Sequence, residues 1–300
     1  MKYYFIFNPA AGSEANRQLF LEKFNELKND YSDLSLYETK SVGDATTYVR
    51  NLINNLDEEV TLFACGGDGT CNEVINGIAG SKKVNFGIIP TGSCNDFLKT
   101  FPGYDFFDLK KQIEGKTVDV DLLKAEDFYC LNVANMGFDA KVNYDQIQFR
   151  SKYPNVKKAY NHAIIHNLLH KKGDKVKIMV DDKEIYNGKS LLIVLGNGEH
   201  YGGSYQPFAN TSYNDGIIDG MVVNNVSILR FASLLKKYKY GLVYNNPKFK
   251  KIVTSFKGKK IKIESEDLLT VCLDGETIFR KSVEIVNIPS AIKFILPKKD

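Results

Sequence analysis

The chain has 300 residues, 43% of them hydrophobic, which is the make-up of a globular protein with room for two domains that each bury a core. Lys and Arg number 40 against 36 Asp and Glu, a mild basic excess that suits contact with phosphates or anionic surfaces without demanding it. No apolar run approaches the roughly 18 residues of a membrane span and the stretch Met1–Pro9 is too short for a secretory signal, so a cytoplasmic protein is expected, and five unpaired cysteines read as reduced thiols rather than as a disulfide or zinc framework.

Strand and helix patterns alternate from the start. Tyr3–Phe7 reads as a strand, and Phe20, Phe24 and Leu27 then recur at helical spacing. Leu34–Tyr37 is a second strand, followed by Ala45, Tyr48, Val49, Leu52, Ile53 and Leu56 on one helical face, with Asp44 expected as its cap. Val60–Ala64 and Val84–Ile89 are continuous apolar runs of the kind buried on both faces, with a helix predicted from Thr70 to about Ala79. Repeated βα units imply a doubly wound parallel sheet.

After about Thr117 the pattern changes to strand-like segments bounded by turn residues: Val118–Lys124, Tyr129–Ala134, Val176–Val180, Leu191–Leu195, Ile217–Val223, Ile261–Ile263, Leu269–Leu273 and Ser282–Val286. Helical insertions are expected near Asn155–His170 and Ser227–Tyr240. The predicted fold class is therefore α/β: an N-terminal doubly wound parallel sheet plus a C-terminal, mainly antiparallel β-sandwich domain. The expected domains are residues 1–120, completed by 288–300, and residues 121–287.

Chemistry concentrates where strands end. Cys65-Gly66-Gly67-Asp68-Gly69-Thr70 lies at a strand-to-helix junction, where glycines let the backbone approach a ligand and the helix N-terminus offers free amides to a phosphate. Such a cluster alone also serves as a tight turn with no ligand. Asn8-Pro9-Ala10-Ala11-Gly12-Ser13 and Pro90-Thr91-Gly92-Ser93-Cys94-Asn95-Asp96 follow two further strands, and in a parallel sheet all three loops converge outside the carboxyl edge. Together they suit a nucleoside triphosphate and its metal.

The string Gly66-Gly67-Asp68-Gly69-Thr70-Cys71-Asn72-Glu73-Val74-Ile75-Asn76-Gly77, with the Asn8–Gly12 turn and the Pro90–Phe97 stretch, resembles the diacylglycerol kinase family of lipid kinases, which includes sphingosine, ceramide and bacterial lipid kinases. The likeness runs almost end to end, through Gly43-Asp44-Ala45, Met136-Gly137-Phe138-Asp139-Ala140, Asn214-Asp215-Gly216-Ile217-Ile218-Asp219 and Leu273-Asp274-Gly275-Glu276. The glycine-aspartate core by itself is shared with NAD kinases and phosphofructokinases, whose fold the first domain would then resemble.

The resemblance implies an ATP- and Mg²⁺-dependent transfer of phosphate to the hydroxyl of diacylglycerol or a similar lipid alcohol, with residues 121–287 as the lipid-substrate domain. It implies that Asn8, Pro9, Ala10, Ala11 and Gly12 border the nucleotide, that Thr39 lies near it, and that Gly66, Gly67, Asp68, Gly69, Thr70, Cys71 and Asn72 cradle the phosphates. Ser93 stands where the family usually has threonine. Glu276 matches the family's general base; read locally it is the exposed end of an Asp-Gly hairpin. Asp215, with backbone oxygens of Ser212 and Ile217, matches a structural Mg²⁺ loop, although Asn214-Asp215-Gly216 is also ordinary turn chemistry. Asp68, Asp96 and Asp121 would form the carboxylate network around the metals. Lys99 replaces an arginine common in bacterial relatives, and Gly202-Gly203-Ser204-Tyr205 matches the family's glycine-rich segment imperfectly.

His162, His166 and His170 recur every four residues, a spacing that can bind Zn²⁺ but here reads as a structural stripe among Ile164, Ile165, Leu168 and Leu169. Lysines crowd residues 236–262 with tyrosines interleaved, either as a solvated face or as a surface for anionic headgroups. The expected partners are thus ATP, a lipid alcohol and, transiently, an anionic membrane at whose inner face the protein would be peripheral; a homodimer is allowed, and no nucleic acid is expected. The competing readings are a soluble kinase of the NAD kinase or phosphofructokinase type and a catalytically inactive nucleotide- or lipid-binding regulator.

Overall fold

The computed structural model describes residues 1–153, 155–170, 173–203, 205–208 and 211–299; Ser204 of the glycine-bearing 202–205 segment lies outside them. The chain forms two compact units. One comprises Met1–Leu122, Tyr213–Asp215 and Ile288–Asp300, the other Leu123–Ser212 and Gly216–Asn287.

The first unit is a parallel sheet. Strands β1 (Lys2–Phe7), β2 (Leu34–Glu38), β3 (Val60–Cys65) and β4 (Val84–Ile89) pair in the order β4-β3-β1-β2. The end of the long strand β13 (Glu276–Leu296) adds in parallel beside β4, where Lys293 and Phe294 pair with Asn85 and Phe86. Every residue of β3 and β4 is buried, as their unbroken apolar runs require of strands covered on both faces. Phe5, Phe7, Phe63, Cys65 and Ile89 share one core with Phe20, Phe24 and Leu27 of α1 (Glu14–Leu27). Helices α2 (Asp44–Asn54) and α3 (Asp68–Ile78) pack closely enough that a Cβ on Gly77 would overlap Val49.

Two helix starts differ from the sequence expectation. Gly43, at φ 84°, caps α2 instead of Asp44, whose carboxylate turns back to accept from the Lys40 amide at 2.8 Å and the Tyr37 hydroxyl at 3.0 Å. Helix α3 begins at Asp68 rather than Thr70, so the acidic residue of the glycine loop sits in its first turn.

The second unit is a β-sandwich. Its long strands β9 (Lys183–Gly196) and β12 (Lys260–Leu273) each serve two layers: their C-terminal halves pair with β7 (Val133–Gly137), their N-terminal halves with β8 (Asp174–Val180). β10 (Ile218–Asn224) and β11 (Val253–Gly258) extend the sheet beyond β9, so β11 is an edge strand. Side chains alternate as the pleat dictates. Ile193 and Leu195 enter the core inside the sandwich, while Leu192 and Val194 face the core under the helices α5 (Phe138–Phe149), α6 (Val156–Leu169) and α7 (Ile228–Lys239).

The two runs Ile261–Ile263 and Leu269–Leu273 are one strand with a register shift between Glu264 and Leu269. Helix α5 has no counterpart in the sequence reading. Its buried residues Phe138, Ala140 and Val142 fall at alternate positions, a strand-like pattern, but Gly137 at φ 83° redirects the chain into a helix.

Under these helices lies a polar cluster in an otherwise apolar core. Tyr201 donates to the Asp139 carboxylate, and the Tyr201 and Tyr238 hydroxyls meet at 2.5 Å. Burial pushes the Asp139 carboxyl up to about 6, partly opposed by the Tyr201 hydrogen bond. A raised carboxyl pKa means that the folded state binds the proton more tightly, so stability falls as pH rises from about 4 to about 6 and stays lower above. Relative to wild type, Asp139→Asn is expected to flatten thermal unfolding midpoints across that window, by up to roughly 3 kcal/mol of linkage; parallel pH profiles for the two proteins would refute the assignment.

Candidate active site

Three loops of the first unit meet backbone to backbone at the carboxyl edge of the parallel strands. A Cβ on Gly12 would overlap the Thr91 carbonyl, one on Gly92 would overlap Gly67, and one on Gly66 would overlap the Thr70 side chain. Glycine is required here by contact, and at Gly12 also by its φ of 70°. Hydrogen bonds lock the same approach: Gly92 N–H donates to the Gly66 carbonyl at 2.9 Å and Asn8 N–H to the Cys65 carbonyl at 3.0 Å.

Asn8 organises the first loop. Its side-chain amide donates to Thr70 Oγ1 at 3.0 Å, and its Oδ1 accepts from the Ala10 amide at 2.9 Å. Pro9, Ala10 and Gly12 remain exposed and Ala11 half-buried. Thr39 comes alongside because its N–H donates to the Phe7 carbonyl at 2.8 Å. Cys71 and Asn72 are buried one turn into α3, while Ser93 is exposed beside Cys94. The structure therefore brings Asn8–Gly12, Thr39, Gly66–Asn72 and Ser93 to one strand edge.

Asp68 joins two of these loops. Its Oδ2 accepts from the Asn95 amide at 3.0 Å and its Oδ1 from the Asp96 amide at 2.8 Å. Asp96 is buried and ion-paired with Lys99. Asp121, fully buried, accepts from Ser290 N–H at 2.8 Å, and its own amide donates to the Tyr213 carbonyl, two residues ahead of Asp215. Asp215 itself is exposed, in the turn that Gly216 makes at φ 72°.

The donor set suits Mg²⁺ delivered with a phosphate better than a metal caged by protein. No group of three or more His, Cys, Asp or Glu side chains gathers among the described residues, and Mg²⁺ is commonly held by one or two carboxylates plus phosphate oxygens and water. Thr91 Oγ1 and Asn95 Oδ1, both buried in the loop after β4, have no hydrogen-bond partner among the described residues, as expected where a polar ligand or water completes the site.

In the second unit, Glu276 opens β13 opposite Leu273, across the two-residue turn Asp274-Gly275, whose φ angles of 47° and 100° are those of a tight hairpin. Asp274 anchors that turn: its carboxylate accepts from the Leu131, Asn132 and Val133 amides at 2.6, 3.1 and 2.9 Å. Asn143 of α5 donates to the Gly275 carbonyl at 2.8 Å. The exposed Glu276 carboxylate thus stands on a hairpin fixed from two sides.

Sequence reasoning missed Arg17, which donates to the Gly12 and Ala11 carbonyls at 2.9 and 3.4 Å and braces the first loop. Its only signal was a cation five residues after a loop glycine. Asp274 belongs to the Leu273–Glu276 motif, but nothing in the sequence marks it as the anchor of the 131–133 amides. His166 bonds Asp145 at 3.0 Å, and His162 packs on Phe149 and Tyr153.

Residues 2–125 match the diacylglycerol kinase catalytic domain, and residues 132–296 match the YegS C-terminal NAD kinase beta sandwich-like domain. The chain belongs to the diacylglycerol kinase family. A protein of Staphylococcus aureus (strain JH9) named "Putative lipid kinase" is 29% identical over 268 residues, covering 87% of this chain and 86% of that one. The crystal structure of a "putative diacylglycerol kinase" from Bacillus anthracis superposes with a TM-score of 0.75 at 27% identity, covering 98% and 96% of the two chains. Yeast NADH kinase, at 10% identity and a TM-score of 0.56, shares the fold alone.

The glycine contacts separate two substitutions. Gly12→Ala is expected to destabilise the protein on the order of 2 kcal/mol or more, because backbone must shift and φ is positive. Gly69→Ala meets nothing within 4 Å inside a helix and should leave thermal stability unchanged or raise it by roughly 0.5–1 kcal/mol. Equal unfolding midpoints for the two variants would contradict the packing described.

Proposed function

We propose that this kinase-family protein transfers the γ-phosphoryl group of ATP, with Mg²⁺, to the hydroxyl of diacylglycerol or a similar lipid alcohol. The observation that supports it most is the meeting of three glycine loops at the N-terminus of α3, with Asp68 bonded across to the Asn95 and Asp96 amides. A helix N-terminus presents unsatisfied amides and partial positive charge, which is what a polyphosphate requires.

In this reading Asn8–Gly12 and Thr39 border the nucleotide, the Gly66–Asn72 segment receives its phosphates, and Ser93 lies at the margin. Asp68 would hold Mg²⁺, with Asp96 and Asp121 in the surrounding aspartate and water network; the bound ion supplies a positive charge against the charge that develops on the phosphoryl oxygens. Asp215, with backbone oxygens of Ser212 and Ile217, is the proposed structural cation loop. Glu276 takes the proton from the acceptor hydroxyl as the hydroxyl oxygen bonds to the γ-phosphorus and the bond from that phosphorus to the β,γ-bridging oxygen breaks, with ADP as the leaving group. An acceptor of this class resides in a bilayer, so the enzyme must work against a membrane surface.

The test is transfer of labelled γ-phosphate to a panel of lipid alcohols in mixed micelles, beside NAD and fructose 6-phosphate. Labelled diacylglycerol is expected from wild type. Glu276→Gln should lower kcat by about 10²–10⁴ while nucleotide affinity is kept, and Asp68→Ala should lose both. Product from a soluble acceptor alone, or full turnover by Glu276→Gln, would overturn the substrate or the base, respectively.

A further inference from the structure

Charge in this chain is strongly segregated. Residues 220–263 contain 11 Lys and Arg and no Asp or Glu, whereas the rest of the chain carries 29 basic against 36 acidic residues. An overall charge near neutral therefore conceals one basic segment on an acidic protein. Lys257, Lys260 and Lys262 are ion-paired to Asp219, Asp182 and Glu264. The seven cations of residues 227–251 make no ion pair among the described residues.

These cations lie on α7 and the turn that follows it. α7 buries Phe231, Leu234 and Tyr238, and at helical spacing its opposite line carries Leu229, Ser233, Lys236 and Tyr240 outward. Leu229 is 85% exposed, Tyr240 57% and Leu242 56%. The turn at Pro247–Phe249 is attached to the same surface, because Lys237 Nζ lies 5.1 Å from the Phe249 ring and Asn246 donates to the Leu242 carbonyl at 2.8 Å. Lysines in the last turn also complement the helix dipole, but that needs neither seven cations nor bare leucines beside them.

We infer that the outward face of α7 with the 240–251 turn docks on an anionic lipid bilayer, with Leu229, Tyr240 and Leu242 entering the interface and the lysines meeting headgroup phosphates. Charge complementarity selects an anionic partner. Each Lys or Arg near such a surface adds to the attraction, and partly inserted aliphatic and aromatic side chains strengthen it. A nucleic acid would use the cations and leave the exposed leucines without a role. The inference deepens the lipid-kinase reading, which supplies its purpose, but the docking itself requires neither ATP nor turnover.

Flotation of the full chain with vesicles of phosphatidylcholine alone, or of phosphatidylcholine with phosphatidylglycerol, tests it without nucleotide. Binding is expected only to the anionic vesicles and should weaken with salt. Lys236→Gln with Lys237→Gln should lower it on the order of tenfold or more, and Leu229→Ser with Leu242→Ser should remove the part that survives high salt. The paired control Lys110→Gln with Lys298→Gln, in the first unit, should bind as wild type. Kinase assays then separate the two readings: the α7 variants should lose phosphorylation of diacylglycerol in vesicles and keep it in detergent micelles, whereas binding without any turnover would fault the activity and leave the docking intact. Absence of binding to anionic vesicles, equal binding by the α7 variants, or tighter binding to single-stranded RNA than to vesicles at the same salt would overturn the docking face.

Discussion

The close approach of bare backbone at Gly12, Gly66, Gly67 and Gly92 is the contact on which the candidate site depends. A single added methyl group at the first, second or last of these positions meets another loop's backbone or the Thr70 side chain, so the loops can converge only if side chains are missing. Convergence turns three ordinary strand ends into one surface of amides and small residues. Asp68 bonds across that surface to the Asn95 and Asp96 amides, so one residue both ties the loops and keeps a carboxylate between them.

The second unit uses the same device with different parts. Asp274 satisfies the Leu131, Asn132 and Val133 amides, and Asn143 satisfies the Gly275 carbonyl, which fixes a hairpin whose two central residues have positive φ. Burial pushes the Asp274 carboxyl up, and the amides it accepts from pull it back down. The adjoining Glu276 owes its fixed position to these neighbours, while its own side chain stays exposed. In both units a buried or half-buried aspartate holds the backbone that presents a second acidic group.

Charge segregation adds a third level. The acid-free stretch 220–263 lies within the sandwich unit, spans the helix α7 and the edge strand β11, and alternates cations with exposed Leu229, Tyr240 and Leu242. Exposed aliphatic side chains beside unpaired cations are unfavourable in water and favourable at a lipid interface. That combination gives the face a physical purpose that packing against the sandwich does not supply.

Sequence alone determined the elements with strong periodicity and the residues with special backbone demands. The all-apolar runs of β3 and β4 could only be strands covered on both faces, and the glycine loops at the strand ends marked their own position. It could not assign α5, because Phe138, Ala140 and Val142 alternate like a strand until Gly137 turns the chain, and it split β12 at a register shift that only pairing reveals. Nor could it assign roles to Asp274 and Arg17, which act on backbone groups 141 to 143 and 5 to 6 residues away and leave no periodic trace. Local pattern records which face of an element is apolar; which carboxylate meets which distant amide is decided only when the tertiary structure brings the backbones together.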